Sequence, residues 1–184
     1  DMYYAERFFE LDSFNLALNG YGTYPGFLNV MEDYGMSKSA KISKYYAGVC
    51  YHQLGDHENA IELLQKFKTD DLLVGAAKYS TMGDAYVELG ELEKAISAYK
   101  SGIDKYENNF STPILLKKLG IVYEELGKLE EALETYQLDA QSHAQAEVAM
   151  SRNDLNRFSD VDSGDDVGLA AFAQFNKNFE LGSD

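Results

Sequence analysis

The apolar and polar positions of this chain fall into three runs that close on the same turn. The turns read Tyr51-His-Gln-Leu-Gly-Asp56, Tyr86-Val-Glu-Leu-Gly-Glu91 and Tyr123-Glu-Glu-Leu-Gly-Lys128. A glycine lies three residues before each tyrosine (Gly48, Gly83, Gly120), and an alanine follows each turn at a fixed distance (Ala60, Ala95, Ala132). Those first glycines recur after 35 and 37 residues. Self-similarity at such a spacing predicts a stacked array of helix–turn–helix units, and arrays of that kind present a concave surface to another protein or peptide. Gly55, Gly90 and Gly127 fall between the paired helices, where glycine takes a left-handed C-cap without a Cβ clash. Asp56 and Glu91 follow at once, where negative charge favours the start of the next helix. Lys128 breaks that pattern, and Glu130-Glu131 stand two residues on to compensate.

This pattern resembles the tetratricopeptide repeat (TPR), a helix pair of about 34 residues. The resemblance implies an all-α fold: an α-solenoid of antiparallel helix pairs in a right-handed superhelix. In that family a small residue of the first helix packs against a small residue of the second. Gly48, Gly83 and Gly120 resemble the first set; Ala60, Ala95 and Ala132 resemble the second. A large residue there would overpack the contact by about 1–3 kcal/mol. The likeness covers about 41–139, as repeats at about 41–74, 76–109 and 112–139. The departures are Lys44 and Leu116 where the first signature aromatic belongs (Tyr79 keeps it), no proline closing the repeats, and the insertion Asn108-Asn-Phe-Ser-Thr-Pro113. Pro113 suits the first turn of a helix, with Thr112 or Ser111 as its cap.

Residues 1–40 read as a degenerate N-terminal unit. Ala5, Phe8 and Ala17 stand at small, aromatic and small positions, and Asn19-Gly-Tyr-Gly-Thr-Tyr-Pro25 interrupts the second helix. A short helix from Gly26 resumes until Gly35. In layout, a split helix before ordinary repeats resembles bacterial envelope TPR proteins, including ancillary subunits of the Sec translocon, which carry a membrane anchor upstream. Residues 140–184 are expected to cap the array. Ser142-His-Ala-Gln145 has the form of a capping box, and the helix after it carries Ala144, Val148 and Leu155 on one stripe with Phe158 near its end. An aspartate-rich linker, Ser159 to Asp166, lacks the twelve-residue calcium loop with its terminal glutamate. A final amphipathic helix, Val167–Leu181, aligns Leu169, Phe172, Phe175 and Phe179.

Composition narrows the partners. The formal net charge of −15 argues against nucleic acid and against an anionic membrane surface. Cys50 is the single cysteine, so no intrachain disulfide forms, and its place in a repeat helix predicts a buried thiol. No run of eighteen apolar residues and no signal peptide is present. The chain starts at Asp1 rather than Met, so a membrane anchor lost upstream stays open. Two compartments follow as expectations: a membrane-tethered place in a bacterial cell envelope, or the cytoplasm.

Candidate chemistry is sparse. His52 and His57 are five apart across a turn, which is not the spacing of two metal ligands on one helix face. No nucleophile stands beside a base. No catalytic residue, metal or cofactor is expected, and an enzyme is not expected.

The resemblance puts the first helix of each repeat on the concave surface. It assigns there Tyr45, Val49, His52 and Gln53, then Ser80, Asp84, Val87 and Glu88, then Lys117, Ile121, Glu124 and Glu125. The lysine–asparagine clamp of chaperone-binding TPRs would fall on Tyr45, Val49, Thr81, Ile114 and Lys118, which keep one lysine. The groove runs from apolar and polar toward acidic, and suits an extended or helical peptide with apolar anchors and a basic end. The expected function is a non-catalytic protein-interaction scaffold. The alternatives are a structural subunit that self-associates through its C-terminal helix, and an envelope-tethered protein assisting translocation or folding.

Overall fold

Each repeated turn ends its helix in the same way. Gly55, Gly90 and Gly127 have φ of 83°, 71° and 70°. The residue after each glycine returns its N–H to the carbonyl of the repeat tyrosine: Asp56 to Tyr51 at 2.9 Å, Glu91 to Tyr86 at 2.8 Å, Lys128 to Tyr123 at 2.9 Å. The glycine itself donates to the carbonyl one residue beyond that tyrosine, so each turn is a Schellman motif. The tyrosine of the motif is therefore also the backbone acceptor that closes the turn.

The computed structural model describes residues 2–35 and 37–140. In chain order the helices are α1 (Tyr3–Glu10), α2 (Phe14–Asn19), α3 (Phe27–Tyr34), α4 (Lys38–Gln53), α5 (His57–Lys66), α6 (Leu72–Glu88), α7 (Leu92–Lys105) and α8 (Ser111–Glu125). A ninth, α9, occupies 129–140. Among the described residues the only pairing of extended backbone is an isolated bridge between Tyr21 and Tyr24. The chain is an all-α solenoid: each helix packs on the next from α3 to α8, while α4, α6 and α8 also touch one another in sequence. Those three form one layer. The capping helix, aspartate-rich linker and amphipathic helix expected within 140–184 lie outside the described residues.

A Cβ on Gly48 would meet Ala60, its expected partner, through the Ala60 carbonyl at 3.3 Å, but the nearest neighbours of all three repeat glycines are larger side chains. A Cβ on Gly83 would lie 2.2 Å from the Tyr99 ring, one on Gly120 would lie 2.5 Å from the Tyr136 ring, and one on Gly48 would lie 2.7 Å from Leu64. Each partner sits one helical turn beyond the repeat alanine. The glycine is a notch for a large side chain, and the buried alanines let the helix carrying that side chain come near. Gly75 holds the Tyr106 ring in the same way, and the Tyr106 hydroxyl donates to the Thr69 carbonyl at 2.8 Å.

Caps also differ from expectation at α8. Neither Ser111 nor Thr112 caps it. Asn108 Oδ1 accepts from the Phe110 and Ser111 N–H groups at 3.0 and 2.8 Å, and Thr112 Oγ1 accepts from the Asn108 N–H. Pro113 supplies no donor, so the amides left to satisfy at this end are those just before it, and Asn108 Oδ1 takes two of them. At the end of α5, the buried Lys78 Nζ donates to the Phe67 carbonyl at 2.8 Å. A cation there suits the negative end of the helix dipole. Burial lowers the Lys78 pKa from its ordinary value.

Candidate peptide-binding groove

The layer of α4, α6 and α8 is open on one side, and a cavity of about 440 Å³ lies across it. Tyr45 contributes from α4. Leu73, Val74, Ala77, Ser80, Thr81 and Asp84 contribute from successive turns of α6, and Ile114 and Lys118 from α8. Phe110, just before α8, completes the apolar end. Three of these apolar side chains remain largely in solvent: Leu73 at 53% exposure, Ile114 at 45% and Phe110 at 72%. Large apolar groups left exposed around one concavity mark an interaction site more often than isolated ones do.

The other end of the cavity is polar and internally paired. Lys118 Nζ lies 2.5 Å from Asp84 Oδ2 and 2.9 Å from Ser80 Oγ. The Tyr99 hydroxyl donates to Asp84 Oδ1 at 2.7 Å. Burial, then the charge of Asp84 and the hydrogen bond to it, raise the Tyr99 pKa, so the hydroxyl stays a donor. The arrangement traces back to Gly83: its missing side chain seats the Tyr99 ring, and the ring's hydroxyl fixes Asp84 one residue on. Lys118 is about a third exposed and Asp84 slightly less, so the pair is partly screened.

His52 lies half-buried beside this end, with its Nδ1 3.1 Å from Nδ1 of His57. Burial lowers the His52 pKa from 6.5; Asp84 and Glu88 pull the other way, and His57 and Lys118 reinforce the drop. Cys50, fully buried on the same helix, has its thiol pushed up to about 12 by burial. Among the described residues no three His, Cys, Asp or Glu side chains gather to hold a metal ion. Among those residues, too, no helix is long and apolar enough to cross a membrane.

Two family models of the tetratricopeptide repeat match the chain, one over residues 43–71 and one over 80–150. Together they span more than half of it. The chain is a tetratricopeptide-repeat protein. A solved structure described as the crystal structure of MamA resembles it with a TM-score of 0.58 and 22% identity, over 82% of this chain and 86% of that one. At that identity the likeness speaks for the fold. No curated protein matches. As a TPR array the protein is, in the general sense, a scaffold for protein interaction.

Of the concave residues read from the TPR sequence, Tyr45, Ser80 and Asp84 line the cavity. Val49, His52 and Val87 are half-buried, and Val87 packs against the core of α6, α7 and α8. Gln53, Glu88, Lys117, Ile121, Glu124 and Glu125 are exposed. Burial, then the charge of Glu124 and the hydrogen bond to it, raise the pKa of Tyr136 on α9. Of the five clamp positions, Tyr45, Thr81, Ile114 and Lys118 line the cavity; all but Tyr45 enter the sequence reading only as clamp positions. Sequence reasoning missed Leu73, Val74 and Phe110. Phe110 carried a signal: it is a large apolar residue within an otherwise polar insertion.

Proposed function

We propose that this TPR protein is a non-catalytic scaffold that holds a peptide segment of a partner protein along α4, α6 and α8. An apolar side chain of the peptide enters the cavity, and a basic end runs toward Glu88 and Glu125. The division into an N-terminal unit (1–40), three repeats (41–74, 76–109, 112–139) and a cap (140–184) belongs to the same reading. The observation that carries it is the cavity itself, whose mouth exposes Leu73, Phe110 and Ile114 while its far end is closed by the Asp84–Lys118 pair. Burying such surface stabilises a complex, and TPR grooves with apolar anchors read as peptide sites.

Asp84 is tied to Lys118 and Tyr99, so reversing its charge would disturb the fold along with the groove. Ile114→Asp is the cleaner test, because Ile114 is exposed and its substitution leaves the core intact. The expected result is loss of the partners that co-purify with the native chain, with helical circular dichroism unchanged. Glu88→Lys with Glu125→Lys should weaken capture of the same partners. Undiminished capture by Ile114→Asp would remove the groove from the function. Self-association through 140–184 and an upstream membrane tether both concern segments outside the described residues.

A further inference from the structure

The turn that closes α4 brings two histidines together. His52 lies in the last turn of α4, and His57 is the first residue of α5. Five residues is the wrong interval for two ligands on one helix face, but here the turn replaces the helix. Gly55, at φ 83°, donates to the His52 carbonyl at 3.0 Å, and Asp56 donates to the Tyr51 carbonyl at 2.9 Å. These bonds fold the start of α5 back over the end of α4. Asp56 holds that start in place by accepting from the backbone N–H and the side-chain amide of Asn59. As a result His52 Nδ1 and His57 Nδ1 lie 3.1 Å apart, with their rings inclined at 58°.

That separation matches two ligands of one metal ion. Two nitrogens about 2.0–2.1 Å from one Zn²⁺ lie about 3.3 Å apart at the tetrahedral angle. The same bonds at a right angle, as in tetragonal Cu²⁺ or Ni²⁺ sites, place them about 2.9 Å apart. The observed distance falls between the two. The ring nitrogens also choose the class of ion: imidazole suits Zn²⁺, Cu²⁺ and Ni²⁺, whereas Ca²⁺ and Mg²⁺ take oxygen ligands. Without metal, one Nδ1 carries a proton and the other accepts it. A metal ion takes the place of that proton, which moves to Nε2 of its own ring, so both rings ligate as neutral imidazoles.

We propose that His52 and His57 together bind one divalent transition-metal ion of the class that imidazole favours, through their two Nδ1 atoms. Both rings are half-buried, and Gln53 and Leu54 beside them are exposed, so water reaches the remaining coordination positions. The charges of Asp84 and Glu88 act on His52 and favour a cation there, against the opposing charge of Lys118. Cys50 is fully buried and takes no part. Two protein ligands rather than three make this an open site. It stands whether or not the groove on α4, α6 and α8 holds a peptide.

Isothermal titration of the full chain with Zn²⁺, in a non-chelating buffer above the ordinary histidine pKa, tests the proposal. The expected result is saturable binding of a single ion, lost in His52→Gln and in His57→Gln. His143, outside the described residues, serves as the control, and His143→Gln should bind as the native chain does. Helical circular dichroism should be the same in every variant. Cu²⁺ gives a second readout on the native chain alone: its electron paramagnetic resonance spectrum should show coupling to two imidazole nitrogens. Because the histidines meet only through the folded turn, Zn²⁺ should also raise the urea midpoint of the native chain and leave both pair variants unmoved. No saturable Zn²⁺ binding, binding retained in either pair variant, loss in His143→Gln, or a Cu²⁺ spectrum without two coupled nitrogens would overturn the proposal.

Discussion

His52 shows how a single side chain ties the groove to pH. It stands against His57 on one side and within reach of the charges of Asp84, Glu88 and Lys118 on the other. Burial dominates and lowers its pKa from 6.5. The unfolded chain therefore takes up this proton at a higher pH than the folded chain does. The His52 contribution to stability is complete above 6.5, declines as the pH falls through the window between 6.5 and the folded pKa, and is constant below it. Urea midpoints between pH about 5 and about 7.5 should fall on acidification, and fall less in His52→Gln. An equal slope in the variant would assign the dependence to other groups. The histidine pair was readable as two residues flanking a turn, but the turn's Schellman geometry, which brings His57 back over α4, is what makes them partners.

At the scale of helices, the repeat glycines govern packing. Gly83→Ala would press a methyl group into the Tyr99 ring, whose hydroxyl holds Asp84, which in turn holds Lys118 of α8. Overpacking of this kind costs about 1–3 kcal/mol, visible as a lower denaturant midpoint with helical content retained. An unchanged midpoint would mean that the ring can move aside and that the notch is not specific. The turns were legible because left-handed backbone admits few residues besides glycine, so their chemistry is local. The large partners of Gly48, Gly83 and Gly120 were not: side-chain direction along a helix moves the closest contact one turn past the alanine that the repeat pattern marks. The α8 cap was misread for a related reason, because Asn108 lies three residues outside the helix it caps.

For the whole molecule, stacking decides what the sequence could not. The solenoid follows from three similar turns at a near-constant period, and family models and structure agree with it. The cavity depends on how α4, α6 and α8 lie side by side, and on Phe110, which enters it from an insertion with no counterpart in the other repeats. The chain as a whole carries a formal net charge of −15, whereas the cavity's own charges, Asp84 and Lys118, neutralise each other. On the function proposed above, a basic segment would be drawn to exposed residues such as Glu88 and Glu125 rather than to the cavity. The measurement that bears most directly on this account places a photo-reactive phenylalanine at Ile114, at the cavity mouth, or at Ser97, exposed on α7. Illumination of each chain in its native extract should give partner adducts from position 114 and none from position 97; adducts from position 97 alone, or from neither, would contradict the groove.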